Sequence, residues 1–420
     1  MSDQTNRHNR MDKIIKDRTT KSPTIIDGWH ETSIGELIDP KRPITYGVVQ
    51  PGEHDPDGIP IVRGGDFSSG WRPIEEYRRV SPAIERSFSR ARLKPGDLVI
   101  TIKGDVGTAA IVPAFLDGAN ISQTNARLSI NPDKARAEIV LAFLQSQQGR
   151  EQISAVTQIG AQPGLIFKDI QAFRLQVPPL PEQHKIAEII HTWDESIEKL
   201  GALIVRRHDQ AAALRQRIFE ADYASDNRLS RARDLFETVS EKARPDLPLL
   251  AVMQDIGIVR RDELNRRVAM PDGDTSSYKV VRPGDFVISL RSFEGGLEYS
   301  KITGLVSPAY TVLRPTQPIN GSYYRHFFKS RSFIGRLDRL IFGIRDGKQI
   351  AFRDFGDMHI PSPTLNEQSV HAELMNLLES GIATETRRRD ALMRQKRGLT
   401  QKLLTGEWRV KVDADEGAAA

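Results

Sequence analysis

Apolar residues recur at helical spacing over two long stretches of the chain. From Ile186 the series runs through Ile190, Trp193, Ile197, Leu200, Ile204, Ala211, Leu214 and Ile218, in alternating steps of four and three that only Arg207 interrupts. A narrow seam sustained over about five heptads predicts a long helix that meets another helix. Roughly 40 residues at about 1.5 Å each make a rod of about 60 Å. A second such helix is expected to start at Asn366 as N-cap and to stop at Gly406. Its stripe is Leu374, Leu378, Ile382, Leu392, Leu399 and Leu403, broken by Glu385 and Arg389. The two helices are natural antiparallel partners; the alternative is that each packs on its own domain.

Elsewhere the pattern is shorter. Gly and Pro punctuate residues 28–178 and 246–361, and Pro95-Gly96 and Pro283-Gly284 each precede a β-branched, apolar run. That grammar predicts short strands joined by loops. Ala135–Ser154 and Gly321–Arg339 are the expected helices among them.

The chain is also written twice. Leu93–Ile102 reads LKPGDLVITI and Val281–Leu290 reads VRPGDFVISL, an offset of 188 that also aligns Ile59–Val62 with Leu247–Leu250. At an offset of 185, Phe167-Lys168-Asp169 matches Phe352-Arg353-Asp354, and Pro178, Leu180, Glu182, Gln183, Ala187 and Glu188 match Pro363, Leu365, Glu367, Gln368, Ala372 and Glu373. A three-residue deletion between the blocks explains the change. A period of this size is a duplicated domain and not a solenoid unit. The expected fold is mixed α/β (α+β): two similar domains with curved sheets, separated by two long helices that form an antiparallel coiled coil, the whole a pseudo-twofold internal repeat. The boundaries read as a tail at 1–27, a first domain at 28–178, a central helix at 179–225, a second domain at 226–361, a C-terminal helix at 362–406 and a tail at 407–420. Met1–Asp27 and the acidic Asp413–Ala420 are expected to be disordered.

Composition narrows the class. The chain has no Cys, which excludes disulfides and thiolate metal sites, and Met1–Asp27 lacks the apolar core of a secretory signal. Apolar runs such as Ile139–Leu144 are too short to span a bilayer. The expectation is a soluble, cytoplasmic protein. Charge is uneven: residues 28–178 carry 17 basic and 17 acidic side chains, residues 226–361 carry 22 and 17. Arg outnumbers Lys 42 to 18. Arg suits bidentate contact with phosphate and guanine edges, although genome composition produces the same bias.

Catalytic motifs are missing. Gly343–Gln349 has the wrong spacing for a phosphate loop and lacks its Ser or Thr. Val177-Pro178-Pro179-Leu180 lacks the polar first and aromatic last members of an amino-methyltransferase tetrad. No Pro-Asp is followed by the acidic-x-Lys triplet of a common nuclease site. His184 and His191 lie seven apart on a helix, too far to share a metal, and Glu75-Glu76 has no evident partner.

Three segments carry a family resemblance. Leu175–Gln183 (LQVPPLPEQ) running into a heptad helix, Ile61–Phe67 (IVRGGDF), and Leu403–Trp408 (LLTGEW) resemble the specificity subunits of type I restriction–modification systems. The resemblance covers about Gly28 to Val410. The second copy departs from it, with Ser362-Pro363-Thr364-Leu365-Asn366 where the first has Pro-Pro-Leu-Pro. The resemblance implies a non-catalytic subunit with two target-recognition domains, each reading half of a split DNA sequence, for phage defence by DNA methylation and restriction. It implies double-stranded DNA, methyltransferase subunits (two of them, docked on the helices) and restriction subunits as partners. S-adenosylmethionine, ATP and Mg are then expected on those partners and none in this chain.

Base readout needs donors and acceptors on loops that reach a groove. In the first copy the candidates are Arg63, Lys103, Gln123, Asn125, Arg127 and Gln162; in the second, Arg291, Ser292, Tyr310, Arg345, Lys348 and Gln349. All sit in polar segments beside predicted strands. Two other classes compete: a coiled-coil scaffold without DNA binding, which has no need of two elaborate domains, and a self-contained DNA-modifying enzyme, which would show cofactor and catalytic motifs.

Overall fold

The computed structural model describes residues 26–157, 164–225, 228–244, 246–254, 256–264, 275–290, 292–341 and 350–412. The chain forms two compact units, one running to Glu198 and resuming at Asp390, the other Lys199–Arg389. No helix among the described residues is long and apolar enough to cross a membrane.

Each unit holds a four-stranded antiparallel sheet of the same connectivity. In the first the order is Thr45–Tyr46, Asn125–Leu128, Leu98–Thr101, Ala109–Ile111; in the second it is Phe236–Val239, Thr311–Pro315, Phe286–Ile288, Glu298–Tyr299. The duplicated Pro-Gly-Asp strings explain why. Gly96 and Gly284 turn with φ of 86° and 98°, a left-handed conformation that favours glycine. The next residue, Asp97 or Asp285, is buried and closes the turn by accepting the Lys94 or Arg282 backbone N–H at 2.8 Å. Asp97 also accepts two bonds from Arg42 (2.7 and 2.8 Å) and one from the Ser129 hydroxyl (2.6 Å). Asp285 accepts two from Arg314, both at 2.8 Å. The carboxylate therefore anchors the start of an inner strand to its neighbour in each unit.

The single helices expected at Ala135–Ser154 and Gly321–Arg339 are each two. Ala137–Gln145 is followed by Gln147–Val156, and Gly321–Phe327 by Arg331–Ile341. A serine makes each break: Ser146 Oγ accepts the Gly149 N–H (3.1 Å) and Ser330 Oγ the Phe333 N–H (3.2 Å), capping the second helix. The cores differ in kind. The first packs mainly aliphatic residues such as Leu98, Ile100, Leu128, Ile170 and Leu175. The second packs rings, with Phe236, Phe286, Tyr324, Phe327, Phe328 and Phe333 in mutual contact at centroid separations of 4.9 to 6.2 Å.

The long helices are Leu180–Ala224 and Leu365–Leu404. Within the first unit Ile186 and Ile190 cluster with Leu399 and Leu403, and Lys396 bonds Asp194. Within the second, Arg215 meets Glu379 and Arg207 meets Glu385. Numbers rise on one helix as they fall on the other, so the pairing is antiparallel in each unit. Arg207, which interrupts the first stripe, and Glu385, one of the two residues that break the second, face one another at 4.0 Å. A buried glutamine ties each helix start to its domain. Gln183 donates to Pro178 O (2.9 Å) and accepts the Arg136 N–H (2.7 Å); Gln368 donates to Pro363 O (2.8 Å) and accepts the Asn320 N–H (2.7 Å).

Three expectations about the ends change. The cap of the second helix is Thr364 and not Asn366, because Glu367 reciprocates: its N–H donates to Thr364 Oγ1 and its carboxylate accepts the Thr364 N–H. Leu374 is exposed, while Ala372 and Met375 are buried on the aromatic core, so the first turns face the domain before the helix–helix seam takes over. The ends around the tails are built in: Ile26 packs on the helix pair, and Arg409 bonds Glu182 (2.8 and 2.9 Å) and Asp27 O (2.9 Å). Residues 1–25 and 413–420 lie outside the described residues.

Candidate nucleic-acid interface

At one end of the first unit's sheet, backbone hydrogen bonds lace several loops together. The Gln123 N–H donates to Val48 O and the Ser122 N–H to Val62 O, both at 2.9 Å. Ile102 and Lys103 donate to Thr124 O at 2.7 and 3.2 Å, and Leu165 donates to Ile102 O at 3.0 Å. Close approach needs glycine here: a Cβ at Gly47 would stand 1.7 Å from Ile121 O, and one at Gly64 would stand 3.1 Å from Thr101 Cγ2. The result is a rigid platform.

The platform brings Arg63, Lys103 and Gln123 to neighbouring loops. Arg63 is half exposed, with its Nε 3.5 Å from Asp66; Lys103 is exposed and Gln123 half-buried. Gln162 lies outside the described residues, although Gly164 beside it pairs with Lys103. These side chains can present donors to a ligand laid across the loop ends.

Asn125 and Arg127 do not belong with them. Asn125 is fully buried, and its Nδ2 donates to Val62 O at 3.0 Å, holding the base of the Arg63 loop from beneath. Arg127 is 2% exposed and spends its guanidinium on the Ser129 hydroxyl, Pro43 O (3.0 Å) and Arg90 O (3.2 Å). Burial draws its pKa below the usual arginine value. Alternation in a strand sends Arg127 to the inner face, beside Ser129. Both residues are scaffold.

In the second unit Ser292 is also a correction. It is 1% exposed, and its hydroxyl accepts the Ser289 N–H at 2.8 Å, closing the turn before the short helix Ser292–Gly295. Tyr310 is half-buried against the Leu250–Val312 cluster, and its carbonyl accepts the Lys279 ammonium. Arg291, Arg345, Lys348 and Gln349 lie outside the described residues. Two features escaped the sequence reading. Lys329 knots the loops of this end by donating to Gly295 O (2.9 Å) and Gln254 O (3.3 Å) and by pairing with Glu298. Arg331, Arg336 and Arg339 are exposed on one helix; their i, i+5, i+8 spacing was the available signal.

Residues 27–204 match the family described as the type I restriction modification DNA specificity domain. Over 200 residues the chain is 29% identical to the EcoBI type I restriction enzyme specificity subunit of Escherichia coli, a match covering 45% of this chain and 42% of the relative. The chain thus spans less than half the length of that relative. The structure of the S subunit of a type I restriction–modification system from M. genitalium overlays with a TM-score of 0.55 at 14% identity, covering 91% of this chain and 97% of the other. A chain from a structure concerning complex assembly and conformational transition of the type I system overlays at 0.53 and 16% identity, covering 92% and 100%. These two likenesses show the fold over both units, and the sequence matches show that the first half of the chain, residues 27–204, is similar to the DNA specificity domain of type I restriction–modification systems.

Proposed function

We propose that this chain recognises DNA sequence for a type I restriction–modification complex, each globular domain reading one half of a bipartite target. One observation carries the reading. The same sheet, the same Asp-closed turn and the same glutamine tie are built twice, while the loop side chains above them differ. A repeated platform with unlike loops suits two readers of unlike sequence. Arg63, Lys103 and Gln123 are the readers of the first unit that remain after the buried residues are removed. Arg291, Tyr310, Arg345, Lys348, Gln349 and Gln162 stand as proposals from sequence. Methyltransferase subunits, two per chain, dock on the helices and supply S-adenosylmethionine chemistry; restriction subunits supply ATP- and Mg-dependent cleavage. The chain itself transfers and cuts nothing.

Methylome sequencing of a strain in which residues 226–361 are exchanged for a foreign counterpart tests this. One half of the methylated sequence changes and the other persists. If both halves change together, the domains are not separate readers. Methyl transfer by the purified chain, free of partner, would overturn the non-catalytic reading.

A further inference from the structure

The helix Arg331–Ile341 packs against the short helix Ser292–Gly295 of the second unit, and Arg345 and Lys348 follow it in the sequence. On its outer side lies a pocket of about 390 Å³ lined by Arg331, Arg336, Arg339, Gly335, Tyr223 and Glu220, among others. The three arginines are exposed, and among the described residues none of them is paired with a carboxylate. Arg336 stacks its guanidinium over the Tyr223 ring at 3.9 Å, which fixes its plane, and Arg339 Nε donates back to Gly335 O at 3.1 Å. Tyr223 is 91% buried, and its hydroxyl has no partner. The one acid of the pocket, Glu220, accepts from Gln216 on its own helix at 2.8 Å.

Gly335 has no packing reason to be glycine. A Cβ there would meet nothing within 4 Å, and glycine inside a helix costs stability relative to alanine. What the missing side chain leaves is an open approach to the helix surface between three arginines that pair with no carboxylate among the described residues. Planar guanidinium groups converging on such a gap suit a tetrahedral oxyanion. The matching helix of the first unit, Gln147–Val156, carries only Arg150 as a cation.

We propose that this pocket is a phosphate clamp, gripping a backbone phosphodiester of the DNA beside the half-site that the second unit reads. The inference rests on the DNA-recognition reading above and deepens it. The clamp is indifferent to base identity: it sets the position of the duplex and leaves the choice of sequence to the loops.

The test is duplex binding by the full chain, alone and with its methyltransferase partner, between about 50 and 200 mM salt, on cognate and unrelated sequences. The double variant Arg331→Ala/Arg339→Ala should weaken all duplexes alike, roughly tenfold, and make the slope of log K against log salt shallower by about one per arginine. Its methylated sequence should stay the same. Gly335→Ala should melt no lower than the parent yet bind duplex several-fold more weakly, which separates the clamp from a folding defect. A parental salt slope in the double variant overturns the clamp, and so does a loss confined to one sequence. Calorimetry with inorganic phosphate and a nucleoside triphosphate distinguishes the source: tight binding lost in the double variant, with the duplex slope unchanged, overturns the backbone assignment in favour of a small-molecule site. Failure of the parent to bind any duplex sinks the recognition reading itself, whereas a variant that matches a binding parent sinks only the clamp.

Discussion

The two units share a sheet but fill it with different chemistry. Arg127 pairs with Val99 in the first unit at the register position where Val312 pairs with Val287 in the second. One is a buried cation held by three acceptors, the other a fully buried valine. Aligning Ser146 with Ser330 sets Ala142 of the first unit against His326 of the second, which joins Asn376 (2.9 Å) and Glu379 (3.4 Å). What persists between the copies is the hardware of turns and joints: Asp97 with Asp285, Ser146 with Ser330, Gln183 with Gln368. Backbone geometry is thus fixed by a few polar residues whose partners are mostly main chain, and the interior is free to be aliphatic or aromatic around them.

Exchanging the contents breaks that comparison most directly. Val312→Arg places a charge at a fully buried position of the second unit, where Arg314 stands two residues on in place of Ser129, and should unfold that unit at a cost of more than about 4 kcal/mol. Circular dichroism should show lost structure at room temperature. A folded, cooperative variant would mean the second core can accommodate arginine after all.

The shared hardware comes next. Removing one partner of a buried pair costs about 3–5 kcal/mol, and Arg42 and Arg314 keep 23% and 31% of their side-chain exposure, so about 3 kcal/mol is expected for Asp97→Ala or Asp285→Ala. The Asp97 variant should lose more, because it also frees Ser129 and through it Arg127. Denaturant unfolding decides the order; an equal loss would show that the Ser129 link adds nothing.

Acid should separate the units less severely. Burial first, and Arg325 second, lower His326 from its ordinary 6.5 to about 4. Burial pushes Glu379 up, but the bond from Arg325 and the charges of His326, Arg325 and Arg215 outweigh it and leave its carboxyl lowered overall. Between pH 6.5 and 4 the unfolded chain takes up the histidine proton while the folded chain refuses it, so stability present above pH 6.5 declines across that window. The lowered carboxyl acts in the same direction at its acid end. His326→Gln should flatten the fall in melting temperature between about pH 7 and 5; an unchanged fall would place the acid sensitivity elsewhere. The smallest effect is Thr364→Ala, about 1 kcal/mol from the lost cap.

Much of this architecture was legible. The heptad seam from Ile186 to Ile218 is found at its expected positions, and the doubled Pro-Gly-Asp strings located both sheets. Composition could not say which way a strand residue faces. Asn125 and Arg127 are polar beside glycine-bearing loops, yet the pleat turns them inward, where each meets carbonyls from segments far away in the sequence. Ser292 failed for a related reason: a hydroxyl that closes a turn and one that meets a ligand look alike until the backbone is placed. Leu374 fell on the wrong face because the helix begins against a domain and not against its partner helix.

The Arg207–Glu385 contact bears on how the helices find each other. A heptad seam is degenerate, since a slip of seven residues returns most apolar positions to apolar positions. Slipped one way, Arg207 would lie opposite Leu378 and Glu385 opposite Leu200; slipped the other way, they would meet Leu392 and Leu214. Either error sets two charges against hydrocarbon at once. One salt bridge, weak as a source of stability, therefore works as a spelling check on the alignment: of three neighbouring ways to zip the pair, two are misprints that cost more than the correct one gains.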